Sequence, residues 1–140
     1  MKKKIKFSSI SDFPKNFIGI SSHFKDIQVV WSLNNLTELN FSKAEDFQKK
    51  IKGSETVFHF SMFRYIDDQN IKHYLITNKN NDAILFPKYK TFDYIFISNV
   101  SVEKLNTIIN NISKSKMIIG NFILPVNNLI SKTFKELFED

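Results

Sequence analysis

The stretch Thr56-Val57-Phe58-His59-Phe60-Ser61-Met62-Phe63-Arg64-Tyr65-Ile66, then Asp67-Asp68-Gln69-Asn70, then Ile71-Lys72-His73-Tyr74-Leu75-Ile76-Thr77-Asn78, decides the fold. Two runs rich in β-branched and aromatic residues flank a cluster of turn formers, which is the signature of a β-hairpin. Placing the turn on residues 67–70 pairs Ile66 with Ile71, Arg64 with His73 and His59 with Asn78. In that register one face carries Phe58, Phe60, Met62 and Ile66 opposite Leu75 and Ile71, and is core. The other face carries Phe63 and Tyr65 opposite Tyr74 and Lys72, with Ile76 nearby, although a one-sided sheet would be polar there. Either the first or last helix covers this second face, or Phe63, Tyr65, Tyr74 and Ile76 form an exposed aromatic patch for a partner.

Working outward, Phe17-Ile18-Gly19-Ile20 reads as a short buried strand. Ser21 and Ser22 are N-cap candidates for a helix from about Phe24 to Leu36, with Ile27, Val30 and Trp31 on one face and Val29, Leu33 and Leu36 widening the stripe. Residues 39–41 and 47–51 read as short extended pieces. Asp93 to Ser98 is a further strand. Ser101 caps a second helix, in which Val102, Leu105, Ile108, Ile109 and Ile112 recur at helical steps. Residues 116–124 read as a strand halted by Pro125, and 126–138 as a terminal helix. The order β-α-β-β-β-β-α-β plus a C-terminal helix gives an α+β fold, a mostly antiparallel sheet with helices packed on it. The division is a basic N-terminal arm, 1–16, and a single domain, 17–140.

The 140 residues include 15 Phe and no cysteine. A chain of this size can bury a core unaided, and the missing thiols exclude disulfides, thiolate metal sites and cysteine nucleophiles. No apolar run approaches the roughly 20 residues of a membrane span. The opening Met1-Lys2-Lys3-Lys4-Ile5-Lys6-Phe7 resembles the start of a signal peptide, but Ser8, Ser9, Ser11 and Asp12 follow where an apolar region belongs. A cytoplasmic location is expected, with no membrane partner.

The net charge is +6, carried by 19 Lys and one Arg beside many Asn, Ile and Phe. All but Arg have AT-rich codons, so base composition alone makes such a chain basic. The residue that binds phosphates and bases in bidentate fashion is nearly missing. Lys2, Lys3, Lys4 and Lys6 remain candidate polyanion contacts, and with exposed aromatics at Tyr65 and Tyr74 they define an RNA-associated alternative with salt-sensitive binding.

Catalytic and metal chemistry find little footing. His59 and His73 fall on different faces and levels of the hairpin, and His23 lies elsewhere, so no metal site is expected. Asp67 and Asp68 occupy a turn, Glu55 and Asp93 strand ends, and no glycine-rich phosphate loop or nucleophile elbow occurs. No cofactor and no catalytic residue is assigned. The leading expectation is a non-enzymatic protein-binding or adaptor module, with a protein partner or self-association.

The segment Phe86-Pro87-Lys88-Tyr89-Lys90-Thr91-Phe92-Asp93-Tyr94 resembles the signature of the IPExxxVDY family, small bacterial proteins of undefined function. Pro87, Asp93 and Tyr94 match in identity and spacing. Phe86 and Phe92 stand for Ile and Val, and Lys88 reverses the charge of the signature Glu. The resemblance extends to Ser21-Ser22, Leu33-Asn34, the 60–63 strand and the Leu75 to Lys79 segment. Physically the signature reads as structural: Pro87 halts an extended piece, Asp93 accepts backbone N–H groups at a bend, and Tyr94 begins a strand.

Overall fold

In the computed structural model, which describes residues 14–50 and 53–139, the returning hairpin strand lies third in a six-stranded sheet. The strands are β1 (Asn16–Ser21), β2 (Ser42–Lys43), β3 (Phe47–Lys50), β4 (Val57–Phe60), β5 (Met62–Ile66), β6 (Lys72–Thr77), β7 (Tyr94–Ser98) and β8 (Gly120–Leu124). The helices are α1 (Asp26–Leu36), α2 (Val102–Ile112) and α3 (Asn128–Phe138). The sheet order is β2-β5-β6-β7-β1-β8, with every neighbouring pair antiparallel, and β3 pairs with β4 as a separate ribbon. The fold is α+β, as the element pattern predicts.

Strand pleating assigns the two cores, because side chains alternate across the sheet. Ile18 and Ile20 of β1, Phe63 of β5, Leu75 of β6 and Phe96 of β7 pack with Val29, Val30 and Leu33 of α1 and Leu105 and Ile112 of α2. Phe17, Tyr74, Ile76, Ile95, Ile97 and Leu124 point the other way, onto Ile130, Phe134 and Phe138 of α3 and the β3–β4 ribbon. A sheet covered on both sides explains why β5 to β7 lack a polar face.

Several expectations are corrected. The 56–66 run is two strands broken at Ser61, whose carbonyl accepts from the Thr77 N–H at 2.9 Å. The alternation runs through the break because Phe60 and Met62 enter the same core. The hairpin register also moves by one: Ile66 pairs with Lys72, Tyr65 with His73, Arg64 with Tyr74, Phe63 with Leu75 and Met62 with Ile76. Ile71 belongs to the loop, where its carbonyl accepts from the Asp67 N–H at 3.0 Å and Asn70 takes the left-handed conformation at φ 66°. A one-residue slip regroups every cross-strand pair. His59 pairs with Gln48 in the ribbon rather than with Asn78.

Helix α1 begins at Asp26, after the Ser22 hydroxyl accepts from the Phe24 N–H at 3.1 Å. Its buried side is set by Val29, Val30, Ser32 and Leu33, so Ile27 and Trp31 lie on the opposite side, 70% and 62% exposed. The 116–124 strand shrinks to β8 because a turn over residues 115–118, in which the Ile118 N–H donates to the Ser115 carbonyl at 3.4 Å, occupies its start. Residues 39–41 are not a strand; Asn34 clips the backbone of Phe41 through both its amide N and its amide O.

Candidate functional site

A cleft of about 290 Å³ opens between the segment after α1 (Thr37, Glu38), the β5–β6 turn (Asp67, Asp68) and α2 (Lys104, Thr107). At its base lies His73, 1% exposed, its ring stacked between Tyr65 (centroids 5.5 Å) and Phe96 (6.3 Å). Its Nε2 meets Asp67 Oδ2 at 3.2 Å, and its Nδ1 meets Ser98 Oγ at 2.9 Å. A carboxylate only accepts, so Nε2 carries the proton and Nδ1 accepts from the Ser98 hydroxyl. Burial lowers the His73 pKa, and Asp67 opposes that only in part. Burial pushes the Asp67 carboxyl up, but backbone N–H groups of Ile71 and Gln69 and the His73 ring outweigh it, leaving the pKa lowered.

Ser98, His73 and Asp67 thus lie in the order of a hydrolase triad. Ser98, however, is 0% exposed, its hydroxyl proton is committed to His73, and its oxygen also accepts from the Val100 N–H at 3.2 Å. A nucleophile must reach a substrate carbon at roughly 3 Å, and no surface lets a substrate approach Ser98 here. The arrangement fixes the β5–β6 turn to the centre of the sheet.

The signature segment forms a second polar cluster. Pro87 opens a single 3₁₀ turn (Pro87–Tyr89), where its missing N–H costs nothing. Asp93 Oδ2 accepts from the Ser22 N–H at 2.8 Å, and its Oδ1 lies 3.4 Å from Lys79 Nζ. The Tyr94 hydroxyl donates to the Phe24 carbonyl at 2.6 Å, and burial chiefly pushes its pKa up to about 12. Asn78, which sequence reading left without a role, is the hub. Fully buried, its Nδ2 donates to the carbonyls of Tyr89 (3.0 Å) and Phe92 (2.9 Å), and its Oδ1 accepts from the Phe86 N–H (3.0 Å). Only its place just after a strand and near the signature could have marked it. Lys88 is exposed, its ammonium 5.8 Å from the Tyr89 ring centroid.

The four residues grouped as a candidate interface separate. Phe63 and Tyr65 face α1 and α2, whereas Tyr74 and Ile76 face α3. Phe63, Tyr74 and Ile76 are buried, and the Tyr74 hydroxyl donates to the Leu137 carbonyl. Tyr65 is half-buried and spends one ring face on His73. They form no exposed patch, because helices cover both sides of the hairpin. The base-stacking surface imagined at Tyr65 and Tyr74 goes with it. Lys2, Lys3, Lys4 and Lys6 lie outside the described residues. Among the described residues there is no group of three or more potential ligands able to hold a metal, and no helix long and apolar enough to cross a membrane.

Besides Ile27 and Trp31 on α1, exposed apolar residues gather along β8. Ile119, Phe122, Ile123 and Val126 are 64%, 63%, 62% and 51% exposed. Strand β8 is the last in the sheet order, and among the described residues its only ladder partner is β1. The sequence signal was present: residues 117–131 contain no Asp, Glu, Lys, Arg or His in a chain with 24% charged residues. Reading 116–124 simply as a strand halted by Pro125 left that signal unused. The fold and its surface define a small α+β domain whose β8 edge has no second strand partner among the described residues. Comparison with family models, curated proteins and solved structures gives no match.

Proposed function

We propose that this chain is a non-enzymatic protein-binding module of the cytoplasm, with the β8 edge as its contact surface and with Pro87, Asp93 and Tyr94, the residues that carry its resemblance to the IPExxxVDY family, holding the fold. The observation that carries the reading is the uncharged β8 edge, without a second strand partner among the described residues and with Phe122 and Ile123 standing out on opposite faces. An edge strand offers unpaired backbone donors and acceptors as well as apolar side chains, and binding by strand addition uses both. The charged and hydroxylic groups at the His73 and Asn78 clusters are committed to one another or to backbone, which supports a scaffold role for both.

Affinity capture from the native cell, with nuclease treatment, tests the reading. The wild-type chain should retain a defined protein set, its own untagged copies included. Ile123→Lys should lose that set, while Val102→Lys, a charge on the exposed start of α2 (71% exposed), should keep it. Equal retention by both variants, or none by the wild type, would refute the module.

A further inference from the structure

We propose that the partner at β8 is a second copy of this chain, its own β8 adding antiparallel across a two-fold axis to join the two sheets into one. This rests on the module reading above and names its partner. The sheet has two edges, and they are built differently. Strand β2 is two residues long, both exposed, and Lys43 on it pairs with Asp46 at 2.8 Å. A short, charged strand is how sheets guard an edge. Strand β8 is five residues long (Gly120-Asn121-Phe122-Ile123-Leu124), with no charge, no proline and no bulge in its register with β1.

Charge selects the occupant. The chain carries +6, so two copies repel wherever lysines meet. Residues 117–131 hold no ionisable side chain, with Lys116 and Lys132 bounding the run. Such an edge gives an acidic or a basic peptide nothing to complement, but it accepts an uncharged apolar strand, and this chain owns one. Antiparallel pairing is self-complementary under a two-fold, so one patch serves both copies. An axis at Phe122 sets Phe122 against Phe122 and Asn121 against Ile123 of the other copy, and Pro125 ends the pairing. Phe122 is already oriented by Phe92, ring centroids 5.8 Å apart, so little side-chain freedom is lost on docking.

Sedimentation velocity on the purified full chain over a hundredfold dilution series reads the outcome. The wild type should pass from monomer to dimer with concentration, with the Val102→Lys control matching it. Ile123→Lys and Ile123→Glu, both at an exposed position and checked for native circular dichroism, should each weaken dimerisation at least tenfold. Mixing the two should restore a dimer, because the charges sit diagonally across the axis. A wild type that stays monomeric throughout, whether the edge is free or taken by the chain's own N-terminal arm, overturns the proposal. So does a dimer that both charge variants leave intact. If the wild type is monomeric yet native-cell capture still depends on Ile123, the self-pairing falls and the binding module stands.

Discussion

Replacing Asn78 by Ala should cost this protein about 3–5 kcal/mol of stability, and the figure follows from three hydrogen bonds. The amide holds the Phe86 N–H at 3.0 Å, the Tyr89 carbonyl at 3.0 Å and the Phe92 carbonyl at 2.9 Å, at 0% exposure. A buried polar group left without a partner costs about 1–3 kcal/mol. The Phe86 N–H bears that in full, because Phe86 is 5% exposed. The two carbonyls belong to half-buried residues that water can approach, so they bear less. The sum is about 3–5 kcal/mol, against roughly 5–15 kcal/mol for a typical domain. Urea denaturation followed by circular dichroism should show the midpoint falling with the slope unchanged, and Tm should drop by about 10–20 °C. Asn78→Asp supplies a second test: it keeps the acceptor for Phe86 but turns a carboxylate oxygen toward two carbonyls. Its pKa must then rise in the folded state, so the damage should be greatest at neutral pH and shrink as the pH falls. A loss under about 1 kcal/mol for Asn78→Ala would refute the argument that Asn78 organises the signature segment.

Gly19→Ala should destabilise by about 1–3 kcal/mol, because a Cβ there would lie 2.6 Å from the Phe92 ring; Phe92→Ala should remove most of that penalty in a double-mutant cycle, and additive losses would contradict the clash. His73 is held neutral by burial, its pKa below 6.5 when folded, so the unfolded chain binds the extra proton and stability should decline as pH falls below 6.5, by at most about 1.4 kcal/mol per unit. His73→Gln should flatten that slope, and an unchanged slope would assign it to another group. Asp67, its pKa lowered from 3.8, contributes stability above that value and loses it only at more acid pH, so its loss begins well below the pH at which that of His73 begins. Tyr94→Phe removes the bond to the Phe24 carbonyl and should cost about 0.5–1.5 kcal/mol by thermal denaturation; no change would show the hydroxyl to be idle.

Much of the architecture was legible because periodicity and local turn chemistry encode it. Helix α2 declares itself by Ser101, whose hydroxyl accepts from the Lys104 N–H, and by Leu105 and Ile112, which are buried. The hairpin was visible but its register was not: whether Ile71 belongs to the strand or the turn depends on Asp67 Oδ1 accepting from both Gln69 and Ile71, a choice among several turns open to the same residues. Burial was misassigned where strong apolar residues sat outside the buried arc. Trp31 and Ile27 look like core by type, but a helix has one buried side and Val29, Val30 and Leu33 claim it. Asn78 was missed because nothing local distinguishes a buried amide hub from a turn residue. Its three partners lie 8 to 14 residues away in sequence.

The Ser98–His73–Asp67 line shows why residue types in triad order do not amount to a hydrolase site. What a triad needs is a serine oxygen facing open space, with a base ready to take its proton. Here the serine is the innermost member, fully buried between sheet and helices, and the aspartate is the outermost, beside the cleft. Exposing Ser98 would mean withdrawing β7 from between β6 and β1, the middle of the sheet. The same three groups placed in reverse depth act as a strut: the turn carboxylate is tied through one neutral ring to a hydroxyl that also caps the Val100 N–H at the entry to α2. That strut, the Asn78 hub and the two cores tie the sheet together up to β8, the long edge strand with no second neighbour among the described residues. A rigid edge meets a strand with little ordering cost, and for this reason the binding reading draws on the interior of the protein as much as on its surface.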